Sequence, residues 1–258
     1  MDQPGERGPW ALLYKTWLIR RIDLHPTEIV DMKFQNDKEK LDTLGKELFS
    51  CVIGDVMDGM GYTHQYLPPK IRPLQDGMTV VGRAKTVLEA DCAGQSIHHE
   101  NREAPFGVML DALDSMKENE VYVCSGASPT YALWGELMSN AARYRGAVGA
   151  VMEGYSRDTK GICEIGFPTF SFGPYGQDQG VRGRVIDYDC PIRFSNHVQV
   201  NPGDIVFGDI DGVVIVPKSI EDEVIASALE KVRGENVARK RIQEGTPTRQ
   251  VWDELGIL

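Results

Sequence analysis

From Asp37 onward, apolar residues recur at helical spacing: Leu41, Leu44, Leu48 and Val52 lie three or four positions apart and share one face. The pattern predicts a helix beginning at Asp37 and a second, short one over residues 53–60 that stops at Gly61. Pro68, Pro69 and Pro73 interrupt residues 64–77, which read as a loop. Residues 78–88 are rich in Val and Thr and read as a strand. There follow a helix over 108–116, a buried strand over 120–124, a loop of small residues over 125–128, and a long helix over 133–145. The apolar run 147–152 is the next strand, and it leads directly into Glu153-Gly154-Tyr155-Ser156-Arg157-Asp158.

The last third alternates short strands (169–172, 183–188, 192–194, 205–207 and 212–216) with turns marked by Pro202-Gly203 and Asp211-Gly212. A closing helix over 219–244 is signalled by Ser219 as its N-cap, Asp222 in its first turn and Gly245 just past its end. The fold class expected is α/β, with a β-rich C-terminal half and terminal helices. Residues 1–36 mix Pro, Gly, charge and an isolated aromatic segment, and read as an N-terminal arm. Residues 37–258 read as a single domain, without internal repeats or low-complexity tracts.

Charge narrows the function. With 28 Lys and Arg against 38 Asp and Glu, the formal net charge is −10, which opposes a surface that tracks phosphates; nucleic acid is not an expected partner. No apolar run approaches the roughly 20 residues needed to span a bilayer, and the N-terminus lacks a signal-peptide pattern, so no membrane association and a cytoplasmic location are expected. The five cysteines are scattered, without the paired spacing that grips zinc or builds a disulfide scaffold, and read as buried or half-buried free thiols.

The strongest chemical constellation pairs Gly135-Glu136-Leu137-Met138, at a helix start, with Arg157-Asp158 at the end of the next strand. A helix followed by a strand returns the chain to nearly the same sheet edge, so residues 136 and 157 can face each other. First-turn amides lack intrahelical acceptors and can bind a carboxylate. Arg157 can fork onto the same anion, and Asp158 can hold a hard dication whose other ligands are water and substrate. The plainer alternative is a turn-supporting ion pair, with Glu136 an ordinary first-turn acid.

Other motifs carry less. His98-His99-Glu100 are adjacent and diverge in a helix or strand, so one ion does not take both imidazoles, and a polar loop is the better reading. Asp209-Ile210-Asp211-Gly212 lacks the remaining ligands of a calcium loop and reads as a β-turn. The glycines form neither a dinucleotide fingerprint nor a phosphate loop.

Several separated segments together give the chain a family likeness. They are Gly54-Asp55-Val56-Met57-Asp58, Val81-Gly82-Arg83-Ala84-Lys85-Thr86-Val87, Trp134-Gly135-Glu136-Leu137, Gly154-Tyr155-Ser156-Arg157-Asp158, Gly166-Phe167-Pro168, Pro202-Gly203-Asp204-Ile205-Val206, and Gly208-Asp209-Ile210-Asp211-Gly212-Val213. In their order and spacing, from about Leu41 to Val237, the chain resembles the RraA-like family. That family includes 4-hydroxy-4-methyl-2-oxoglutarate aldolases with oxaloacetate decarboxylase activity, and the regulator of ribonuclease activity that names it.

The resemblance implies a β/β/α layered fold, a homotrimer or dimer of trimers, and a lyase that acts on a small 2-oxo acid with Mg²⁺ or Mn²⁺. It implies that Arg157 binds the pyruvate part of the substrate and that Asp158 helps hold the metal. The amides of Gly135, Leu137 and Met138 would meet the substrate carboxylate, and Glu136 would handle an active-site water. Retro-aldol cleavage and oxaloacetate decarboxylation both fit. A lyase or hydratase acting on a sugar-acid-derived 2-oxo acid, or a non-catalytic regulator that binds a ribonuclease or another enzyme, stand as alternatives. The aldolases often place a further carboxylate three residues after the Asp, where this chain has Gly161, which puts the outer metal shell and the substrate in question. The regulator branch lacks the Asp, so Asp158 favours the enzyme.

Overall fold

The computed structural model of the chain describes residues 34–92 and 106–257, in two compact units. Most of the expected N-terminal arm and the His98-His99-Glu100 motif lie outside the described residues.

One unit runs from Gln65 to Glu221 and, among the described residues, carries every strand. Its main sheet has eight strands: β1 (Arg72–Pro73), β7 (Thr169–Ser171), β5 (Gly149–Met152), β3 (Glu120–Ser125), β2 (Val80–Asp91), β11 (Ile205–Asp209) and β12 (Gly212–Val216) in that spatial order, with β8 (Gly183–Tyr188) paired to the far end of β2. β2, β3, β5 and β7 run parallel, while β1, β8, β11 and β12 add antiparallel edges. The parallel strands read as near-continuous apolar runs because both of their faces are covered.

Side-chain alternation along the strands separates two cores. Tyr122 and Cys124 of β3, with Ala150 and Met152 of β5, face a helical layer: Met109, Ala112 and Leu113 of α3 (Met109–Asp114), Ala142 of α4 (Glu136–Tyr144) and Ile162 of α5 (Thr159–Ile165). Val121, Val123 and Val151 face the other way, towards Ile192 of β9 (Ile192–Arg193), Phe194, Val198 and Val200 of β10 (Gln199–Val200). This is the expected β/β/α layering. Asp209-Ile210-Asp211-Gly212 forms the tight turn between β11 and β12, closed by the Asp211 N–H donating to Asp209 Oδ1 at 3.0 Å.

The second unit holds α1 (Asp37–Glu47), α2 (Ser50–Gly59), α6 (Glu221–Gln243) and α7 (Thr248–Leu255). Asn36 caps α1 by accepting the Glu39 N–H, and Lys40 and Lys231 reach Asp222 and Asp55 at 2.7 and 2.5 Å. Ala238, Val251 and Ile257 form a small core that ties α7 to α6. No described helix is long and apolar enough to cross a membrane.

Several boundaries differ from those expected. Helices α1 and α2 break at Leu48-Phe49, which takes Val52 into the second helix. Ser219 lies within a 3₁₀ turn (Lys218–Ile220) and does not cap the last long helix. The helix expected from residue 133 starts at Glu136, since Ala132–Trp134 form a strand, β4. Helix α5, strand β6 (Tyr155–Ser156) and helix α7 were not expected at all. Cys124 is buried and Cys92, Cys163 and Cys190 are half-buried, as expected, but Cys51 is exposed.

Candidate active site

A two-stranded parallel sheet of β4 and β6 builds the site, standing beyond the ends of β3 and β5. Ala132 pairs with Tyr155 and Trp134 with Ser156, and the Arg157 N–H continues the ladder by donating to the Trp134 carbonyl at 2.8 Å. This register sets Gly135-Glu136 beside Arg157-Asp158 despite the intervening helix and strand. These segments were expected as neighbours at one sheet edge; direct strand pairing is what brings them together.

The corner is rigid. Trp134, fully buried, stacks on Phe167 with ring centroids 6.0 Å apart and packs against Tyr122 at 4.8 Å. Its indole N–H donates to Ser139 Oγ at 2.7 Å, and that hydroxyl donates back to the Gly135 carbonyl at 3.0 Å. Such a closed chain of bonds fixes where α4 begins.

Asp158 sits in the left-handed region, with φ 56° and ψ 33°, a conformation that Asp tolerates better than most residues. It occupies the N-cap of α5 without capping that helix. Its carboxylate turns instead towards α4: Oδ2 accepts the Glu136 N–H at 3.4 Å and lies 3.6 Å from Arg157 Nε. Gly135 makes this approach possible, because a Cβ there would stand 2.8 Å from Asp158 Oδ2. Arg157 is held on its other side by Asp178, whose Oδ1 accepts from a guanidinium nitrogen at 2.6 Å, while Oδ2 accepts the Gly180 N–H at 3.1 Å. Arg157 and Asp158 are 39% and 49% exposed, so these pairs add roughly 0–1 kcal/mol to stability and leave both groups open to a ligand.

Glu136 and Gly161 are complementary. A Cβ at residue 161 would lie 2.6 Å from Glu136 Cγ, so the side chain of Glu136 fills the space that any side chain on that face of α5 would need. Asn140, one turn along α4, donates to the Glu136 carboxylate and carbonyl and holds the side chain there. Leu137 and Met138 contribute first-turn amides, which have no intrahelical acceptor; the Leu137 side chain is exposed.

Among the described residues, no three His, Cys, Asp or Glu side chains converge on a point, so a closed protein cage for a metal is not built there. The donor set instead suits a Mg²⁺-type ion, which takes one or two protein carboxylates and completes its octahedron with water and substrate oxygens. Asp158, half exposed at the mouth of the corner, fits that requirement.

Two participants escape a reading of the sequence. Asn140 follows Glu136 at helical i,i+4 spacing and could have been found by that rule. Asp178 lies in the aperiodic stretch Gly176-Gln177-Asp178-Gln179-Gly180, which carries no local sign that it returns to Arg157.

Comparison with known proteins agrees with this architecture. The RraA-like family, described as Aldolase/RraA, matches residues 50–215. Protein DlpA of Legionella pneumophila is 26% identical over 222 residues, which cover 84% of this chain but only 34% of that protein; the chain thus spans about a third of its length. A protein of Halalkalibacterium halodurans with the provisional name 4-hydroxy-4-methyl-2-oxoglutarate aldolase is 29% identical over 190 residues, covering 73% of this chain and 81% of that one. Among solved structures, Streptomyces coelicolor RraAS2, described as an unusual member of the RNase ES inhibitor RraA protein family, superposes with a TM-score of 0.68 at 23% identity, covering 80% of this chain and 98% of that chain.

Proposed function

The chain belongs to the RraA-like family, and from that premise we propose that it is a divalent-metal-dependent lyase that cleaves a carbon–carbon bond next to a 2-oxo acid and releases pyruvate through its enolate. The observation that carries the reading is the paired corner, which sets Gly135-Glu136 at the start of α4 beside the half-exposed Arg157 and Asp158. A provisional aldolase name on a relative of similar length supports the same class.

Asp158 would hold Mg²⁺ or Mn²⁺, which supplies Lewis acidity at the keto and carboxylate oxygens of the substrate. The Leu137 and Met138 amides receive the substrate carboxylate, and Gly135, having no side chain, keeps the approach clear. Arg157 offers its planar fork to the oxygen on which negative charge develops, and because Asp158 and Asp178 already orient it, little reorganisation is needed. In retro-aldol cleavage, Glu136 takes the proton of the C4 hydroxyl through a water, the C3–C4 bond breaks, and its electron pair becomes the enolate, which gains a proton at C3 to give pyruvate. Decarboxylation of oxaloacetate needs the same charge stabilisation without that base, so one site serves both reactions.

A screen of 2-oxo acids with added Mg²⁺ or Mn²⁺, following pyruvate release and substrate loss separately, tests the proposal. Metal-dependent pyruvate release supports it. Substrate loss without pyruvate would instead indicate a hydratase on a sugar-acid-derived 2-oxo acid, and no turnover of any kind a binding protein. We further propose a trimer or dimer of trimers, for which the exposed Leu137 and Tyr144 on one face of α4 provide apolar surface; a monomer in light scattering at micromolar concentration would contradict it.

A further inference from the structure

Next to the corner lies a buried acid that the mechanism does not use. Glu89, on β2, is 2% exposed; Gln179 Nε2 donates to its Oε1 at 2.7 Å, and the Tyr131 hydroxyl is also within hydrogen-bonding reach of its carboxyl. Gln179 is itself buried and follows Asp178, the residue that holds Arg157. The turn between them is tightly made. Asp178 Oδ2 accepts the Gly180 N–H, Arg182 donates to the Asp178 carbonyl at 3.0 Å, and the Arg182 N–H donates to the Gln179 carbonyl at 2.6 Å. On the near side, the Gln177 carbonyl accepts the Ala132 N–H of β4 at 2.8 Å. A line of contacts therefore runs from Glu89 through Gln179 and Asp178 to the guanidinium of Arg157.

Resting on the function proposed above, we infer that Glu89 is a positioning residue that, through Gln179, seats the Gly176–Gly180 turn and so sets Asp178 against Arg157. The groups that face Glu89 explain why it is neutral. Asp91 on its own strand repels a negative charge, Tyr131, whose hydroxyl donates to Asp91 Oδ1 at 2.9 Å, borders it from the segment before β4, and Tyr122 and Cys124 of β3 contribute no positive charge. Gln179 is the neutral amide on the remaining side. Burial, with no cation against it among the described residues, pushes the carboxyl up to about 8. Ionised, Glu89 is a buried carboxylate whose hydrogen bonds from Gln179 and Tyr131 do not offset its lost hydration, on a strand paired along both edges to β3 and β8, so the part able to yield and admit water is the glycine-bearing turn above it.

Two readouts test the inference. Hydrogen exchange of the peptide 173–183, corrected for intrinsic rates, should lose protection with a midpoint near pH 8, about tenfold by pH 9. The rate of pyruvate release per enzyme should fall along the same limb. E89Q, which keeps a neutral acceptor for Gln179, should remove the limb from both readouts, whereas E89A should loosen the peptide at every pH. Constant protection across pH 6.5–9.5 in the wild type would overturn the inference, as would an E89Q protein that still shows the transition. If E89A does not fold, E89Q decides alone. A transition in exchange without turnover of any 2-oxo acid would leave the seating of the turn intact and defeat the proposed function, so the two failures are distinguishable.

Discussion

Gly161→Ala separates the role of Glu136 from the stability of the helix that opposes it. Residue 161 lies in α5, where Ala is favoured over Gly by about 1 kcal/mol. Against this gain stands the contact of the new Cβ, 2.6 Å from Glu136 Cγ and 3.2 Å from its Cβ. Glu136 must rotate away from Asn140, and an off-rotamer or re-paired side chain costs about 0.5–1.5 kcal/mol. The two effects nearly offset, so thermal unfolding should shift by no more than about 4 °C.

Turnover should change far more. Proton transfer by a positioned side chain is worth about 10²- to 10⁴-fold, and displacing the carboxylate forfeits part of that. We expect retro-aldol cleavage of a 4-hydroxy-2-oxo diacid to slow at least about tenfold, with oxaloacetate decarboxylation, which needs no base, slowed less than about twofold. The assay is initial pyruvate release from both substrates by wild type, G161A, E136A and the double variant, with melts of all four. Because the substitution acts by moving Glu136, it should add nothing in the E136A background. If G161A slows E136A as much as it slows the wild type, the packing argument is wrong.

Two further outcomes follow from the same geometry. Arg157→Lys keeps the charge but loses the planar fork shared with Asp158 and Asp178, so pyruvate release should fall by about 10²-fold or more while the melting temperature stays within a few degrees; an active R157K would remove the forked contact from the mechanism. Glu89, raised from 4.5 to about 8 in the folded chain, takes up a proton on folding over that window, so its contribution to stability is full below about pH 4.5 and is lost as pH rises to about 8. Against E89Q, the wild type should therefore lose up to about 1 kcal/mol per pH unit between pH 5 and 8, and a difference in melting independent of pH would refute this.

Long apolar runs were the legible part of the fold. β3 and β5 announce themselves because both faces are buried, and Gly183–Tyr188 and Gly212–Val216 are bounded by turns. The short pieces were not legible: Ala132–Trp134 and Tyr155–Ser156 are too brief to show a period, and Trp134 at the head of a helical pattern reads as part of the helix. Yet these two strands assemble the candidate site. Arg157, Asp158 and Glu136 could be nominated from residue type and spacing, whereas Asp178 and Glu89 owe their places to long-range contacts through a glycine-bearing loop and to burial within the sheet. Gly161, which reads from the sequence as a missing acid, is explained by the packing of Glu136 against α5.

The central claim is that the corner at Arg157 and Asp158 stabilises a pyruvate enolate, and proton exchange into pyruvate measures it without a carbon–carbon bond to break. Pyruvate in D₂O with enzyme and Mg²⁺ or Mn²⁺, followed by loss of the methyl signal in ¹H NMR, reports each passage through the enolate. The account predicts exchange well above the metal-and-buffer rate, abolished by a chelator and restored by metal, and about 100- to 1000-fold slower in folded Asp158→Asn. Exchange at the buffer rate in the wild type, or exchange at the wild-type rate in D158N, would contradict it.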